Sequence, residues 1–76
     1  MPRERFGPYE RAPTLAEIQE IQTRLTKLGF NTAGTDGRVG LETMRAARDF
    51  QRKIQIEPAD GYAGVKLLAR LRAVSS

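Results

Sequence analysis

The 76-residue chain contains neither cysteine nor histidine. Without cysteine there is no disulfide framework and no thiolate metal site, and cysteine usage leaves the redox compartment open. Without histidine the commonest acid-base group near neutral pH and the commonest metal ligand are both missing. Catalysis, metal binding and a cofactor are therefore not expected. Long apolar runs are absent as well. None approaches the roughly 20 residues of a membrane helix, so membrane insertion is not expected. Met1 to Pro13 lacks the apolar centre of a secretion signal, so work outside the cytoplasm would require export as part of a larger precursor.

What is present is small, basic and rich in arginine. A chain of this length forms one domain that buries only about 60% of its unfolded surface, which leaves no room for a deep enclosed active site. Thirteen Lys and Arg against nine Asp and Glu give a net charge of +4, and ten of those cations are arginine. That balance favours an anionic partner, and arginine suits forked contact with carboxylate or phosphate. Residues 1–13 hold three prolines and a Gly7-Pro8 pair, so they read as a linker or tail preceding a domain over 14–74. Phe6 and Tyr9 are expected to dock on that domain.

The first helix is announced by Thr14 with Glu17 three residues on, a capping box in which each side chain satisfies an orphan backbone amide. Ile18, Ile21, Leu25 and Leu28 then recur at helical spacing, with Glu17, Glu20, Arg24 and Lys27 on the other side. Gly29 supplies a left-handed stop, giving a helix over about 15–28. A second helix is expected from Leu41 to Lys53 or Ile54. At about 100° per residue, Thr43, Ala47, Phe50 and Ile54 share a face flanked by Met44 and Gln51, while Arg45, Arg48 and Arg52 lie opposite. A shorter third helix carries Val65, Leu68, Leu71 and Arg72, with Leu67 beside them, and ends near Ala73. No strand pattern occurs, so the expected fold is an all-α three-helix bundle.

Asp36-Gly37-Arg38-Val39-Gly40 precedes the second helix, and Asp60-Gly61-Tyr62-Ala63-Gly64 precedes the third. Each aspartate reads as the cap of a tight turn, which the glycine after it allows; Asp36 can accept from amides just beyond it, and Gly37 and Gly40 take angles that a side chain would oppose. The first turn is expected to aim Val39 at the core. Gln22 and Gln51 each stand three residues before an apolar anchor, Leu25 and Ile54. There a glutamine can bond half-buried loop backbone, which points to two related helix-turn units.

Together, Ile18-x-x-Ile21-Gln22-x-x-Leu25-x-x-Leu28-Gly29-Phe30, Asp36-Gly37-x-x-Gly40-x-x-Thr43, Ala46-Ala47, Phe50-Gln51 and Asp60-Gly61 resemble the small peptidoglycan-binding domain family, three-helix modules attached to bacterial cell-wall hydrolases. The likeness spans about Leu15 to Leu71. Pro58-Ala59-Asp60-Gly61-Tyr62 with Leu67-Leu68 and Leu71 looks most like the C-terminal wall-binding domain of membrane-bound lytic murein transglycosylases. Val39 departs from the aromatic often found before the second glycine, and Ala63-Gly64 from the Pro-Thr pair of the transglycosylase version.

The resemblance implies a non-catalytic, monomeric module that binds peptidoglycan in the periplasm or cell envelope and holds a catalytic domain of the same polypeptide on its substrate. Its candidate ligand contacts are Asp36, Arg38, Arg45, Arg48, Asp60 and Tyr62. The ordinary alternatives are plain: the aspartates as turn caps, the arginines as a solvated helix face, and the two glutamines as structural. Glu42 and Glu57 lack the apolar cleft that a glycosidase acid needs. The competing class is a basic three-helix domain for nucleic acid or for another protein. Against nucleic acid stands the long segment between Gly29 and Leu41, where a helix-turn-helix reader needs about three or four residues.

Overall fold

The computed structural model describes residues 11–55 and 59–75. Phe6 and Tyr9, and Glu57 and Pro58, lie outside the described residues. The chain forms three helices, α1 (Leu15–Lys27), α2 (Leu41–Lys53) and α3 (Val65–Ser75), and no strand occurs among the described residues. The fold is the all-α bundle expected, with α1 packed against both of the others and a radius of gyration of 11.7 Å.

Both ends of α1 follow from local chemistry. The Thr14 hydroxyl accepts from the Glu17 amide at 3.2 Å while the Glu17 carboxylate accepts from the Thr14 amide at 2.9 Å. At the other end Gly29 turns left-handed at φ +98°, so its amide donates to Thr26 at 3.0 Å and that of Phe30 to Leu25 at 2.9 Å. This paired closure satisfies the last carbonyls and folds Phe30 back toward the bundle. Its ring meets Phe50 edge-on at 6.0 Å. Leu28, expected in the apolar stripe, is consequently 38% exposed, because the chain reverses there and Phe30 takes the inward place.

The core comprises Ile21 and Leu25 of α1, Ala46, Ala47 and Phe50 of α2, and Ala63, Leu67, Leu68 and Leu71 from the third unit, with Phe30 and Ile54 packed against it. Thr43 and Gln51 are buried beside it, as the α2 wheel requires. Three expectations are corrected. Val39 is 42% exposed rather than inward, because the turn before α2 spends its buried contacts on Gly37 and Thr43. Gly40 has φ −104°, ordinary extended backbone, so only Gly37 in that turn needs glycine's freedom. Arg72 leaves the apolar stripe of α3 and donates to both oxygens of Glu20, at 2.9 and 2.8 Å. Glu20, read as an outer residue, thus lies at the seam of α1 and α3, where it also accepts from Arg24 at 2.7 Å.

Candidate functional site

Two elbows of the same construction lead into α2 and α3. In the first, Asp36 Oδ1 accepts from the Arg38 amide at 2.9 Å, Gly37 has φ +85°, and its amide donates to Gln22 Oε1 at 2.9 Å. In the second, Asp60 Oδ1 accepts from the Tyr62 amide at 3.0 Å, Gly61 has φ +74°, and its amide donates to Gln51 Oε1 at 2.8 Å. A buried glutamine therefore satisfies a buried glycine amide in each unit, where an unpaired N–H would cost about 1–3 kcal/mol.

The likeness extends to what each glycine touches. A Cβ on Gly37 would meet Leu15 and Gln19, seven and three residues before Gln22; a Cβ on Gly61 would meet Met44 and Arg48, seven and three residues before Gln51. α2 thus closes the first helix-elbow-helix unit and opens the second. The units differ where one side chain differs. Gln22 Nε2 donates to the Arg38 carbonyl at 2.8 Å and to the Thr43 hydroxyl at 3.1 Å. The residue matching Thr43, six beyond the elbow glycine, is Leu67 in the second unit. With no hydroxyl there, Gln51 Nε2 turns to Asp60 at 3.4 Å.

A groove of about 460 Å³ opens where the two units meet. It is lined by the second elbow, Asp60 to Ala63, by Val39 and Met44, and by Pro13. Of the predicted contacts, Asp60 and Tyr62 line this groove. Arg48 adjoins it: its Cβ is 3.6 Å from where a Gly61 Cβ would stand. Asp36 and Arg38 belong to the first elbow, Arg38 directly preceding Val39. Arg45 is exposed on α2 and is not part of the lining. Sequence reasoning missed Val39, Met44, Ala63 and Pro13 as groove walls. Met44 was signalled by its place about 100° from Thr43, beside Gln51 rather than within the stripe.

The charges divide into two groups. Arg11 pairs with Glu17 at 2.6 Å, while Arg24 and Arg72 share Glu20. The Arg11 guanidinium, aided by the Thr14 amide, holds the Glu17 carboxyl down at about 2. Arg72, then Arg24, hold Glu20 at about 2 likewise. Arg38, Arg45, Arg48 and Arg52 make no ion pair with any described residue. Asp36 and Asp60 spend one oxygen each on capping a turn, which is the ordinary reading of both. Among the described residues no cluster of acidic side chains is arranged to hold a metal ion.

Comparison with known proteins agrees with this construction. Residues 14–71 match the profile of the peptidoglycan binding domain family. The N-acetylmuramoyl-L-alanine amidase CwlM of Mycobacterium tuberculosis is 38% identical over 60 residues, covering 79% of this chain and 14% of the amidase. The spore cortex-lytic enzyme of Bacillus cereus is 40% identical over 57 residues, covering 75% of this chain and 22% of that enzyme. The chain therefore spans less than a quarter of the length of these relatives. A match that takes in all but the last few residues of the three-helix unit leaves one conclusion: the chain belongs to the peptidoglycan binding domain family.

Proposed function

We propose that this domain is a non-catalytic module that binds peptidoglycan in the cell envelope and tethers a linked wall-degrading enzyme to its polymer. The observation that carries the reading is that the family match, residues 14–71, takes in both elbows and every groove residue named except Pro13. Asp60 and Tyr62, with the adjoining Arg48 and Arg38, are the contacts the groove favours; Asp36 serves by holding the first elbow, and Arg45 contributes charge at a distance. Residues 1–13 act as the connection to the enzyme.

The relatives named an amidase and a cortex-lytic enzyme support wall degradation as the task of the linked partner. The run Asp60-Gly61-Tyr62 with Leu67-Leu68 and Leu71 supports a membrane-bound lytic murein transglycosylase as that partner. Mass spectrometry of fragments released from sacculi by the full-length protein separates the two, since one chemistry cuts glycosidic bonds and the other amide bonds. Binding itself is tested by sedimentation with purified sacculi against retention on duplex DNA, both at physiological salt. Pelleting with sacculi without DNA retention is expected, and retention on DNA alone would overturn the reading.

A further inference from the structure

Peptidoglycan offers two surfaces of different chemistry. One is a glycan dense in hydroxyls; the other is a set of short stem peptides carrying methyl groups, amides and carboxylates. A hydroxyl pressed against an apolar wall loses its water and gains no partner, whereas a methyl group gains by the same burial. Four residues of the groove, Pro13, Val39, Met44 and Ala63, bring no charged or hydroxyl-bonding side chain to it. Val39 and Met44 remain 42% and 44% exposed, so their apolar surface is still uncovered by the fold. Tyr62 is half-buried and is the one aromatic residue among the described residues of the lining, a narrow platform for a sugar ring.

The polar groups at the rim match a peptide better than a sugar. Asp60 Oδ1 is engaged by the Tyr62 amide and Gln51 Nε2, while Oδ2 takes no hydrogen bond from a described residue. Arg38 directly precedes Val39 and the Arg48 Cβ lies beside Gly61, neither arginine paired with a described carboxylate. Both arginines are exposed and lie within one residue or one Cβ contact of lining residues, and a long, uncommitted guanidinium complements a carboxylate, with which it forms short forked bonds. The volume of about 460 Å³ falls within the range of small-ligand clefts.

We infer that the groove is a stem-peptide subsite. Methyl side chains of the peptide lie on Val39 and Met44, a peptide N–H donates to Asp60 Oδ2, and a peptide carboxylate accepts from Arg38 or Arg48. The inference rests on the reading that the domain binds peptidoglycan, and names which part of it enters the groove.

The test is nuclear magnetic resonance on the 76-residue chain, titrated separately with a synthetic stem tetrapeptide bearing a free terminal carboxylate and with peptide-free glycan strands, alongside sacculus pelleting. The tetrapeptide is expected to shift the Gly61, Tyr62 and Ala63 amides and the Val39 and Met44 methyls, with the glycan silent. Val39→Asp should weaken the tetrapeptide about tenfold or more, and Arg48→Glu, on an exposed helix position, should do the same without altering the thermal melt. Glycan strands shifting these residues while the tetrapeptide does not would overturn the inference, as would peptide-induced shifts confined to the outer face of α2. The same resonances moving on dilution of the domain alone would assign the groove to self-association and overturn it too. Retained pelleting in any of those cases leaves wall binding standing, while loss of pelleting removes both readings.

Discussion

Three of the four elbow glycines, Gly61, Gly37 and Gly40, are not equivalent, and their environments rank them. Gly61 has φ +74°, and a Cβ there would stand 2.7 Å from the Met44 carbonyl oxygen, a backbone atom that α2 holds in place. Gly37 has φ +85°, but its Cβ would press on the Leu15 and Gln19 side chains at 2.8 to 3.2 Å, and Leu15 is 61% exposed and can swing aside. Gly40 has no such angle and nothing within 4 Å. Left-handed backbone costs a residue with a Cβ about 1–2 kcal/mol before any clash. Urea denaturation of Gly→Ala variants should therefore order the losses Gly61 over Gly37 over Gly40, with Gly61→Ala above about 2 kcal/mol and Gly40→Ala near zero. Equal losses at all three would mean that the contact with the Met44 carbonyl does not constrain the fold. The Asp-Gly pairs and the two glutamines were legible in the sequence because their spacing repeats and local chemistry explains it. The need at Gly61 for close approach to α2 was not, since it depends on how distant segments meet.

At the scale of elements, the two helices that open the units end differently. α1 closes on Gly29 at φ +98°, whereas α2 closes on Gln55 at φ +60°, a left-handed angle borne by a side chain. Replacing Gln55 with Gly relieves that strain at the expense of a looser unfolded chain, so a net gain of about 0.5–1 kcal/mol is expected in thermal or urea melts. A loss instead would show that the Gln55 side chain holds the bend. The seam between α1 and α3 depends on pH through Glu20, whose carboxyl Arg72 and Arg24 lower to about 2 from an ordinary 4.5. A lowered carboxylate contributes stability that is complete above its unfolded value and lost as pH falls through the folded one. Stability should thus decline between about pH 5 and pH 2, and Glu20→Gln should flatten that slope while lowering the melting temperature at pH 7; high salt should shrink the difference, since the pair is partly exposed. Glu17, held down by Arg11 and the Thr14 amide, contributes to the same window and remains in the variant. Helix positions and most of the core could be read from periodicity, capping box and glycine stop. Glu20 could not, because its acidic side chain sits on the charged face of α1 by local pattern and only the packing of α3, 52 residues away, brings Arg72 to it.

For the whole molecule, size limits affinity. A bundle with a radius of gyration of 11.7 Å and an open groove of about 460 Å³ leaves much of a polymeric ligand uncovered, and its net charge of +4 acts over a Debye length of only about 8 Å at physiological salt. One copy should therefore bind a wall polymer weakly and exchange quickly. Polymer sites repeat, however, so a second copy on a flexible linker meets the next site at an effective concentration set by the linker rather than by the solution. Two copies joined in tandem should be retained on purified sacculi at least about tenfold longer than one, provided the linker spans neighbouring sites. Raising salt from physiological to about 0.5 M should weaken the single copy only a few-fold, because apolar contact at Val39 and Met44 is not screened, whereas a purely electrostatic binder would lose most of its retention. Equal retention of one and two copies would rule out discrete repeating sites, and release of both by salt would mean that charge rather than the apolar groove surface carries the binding.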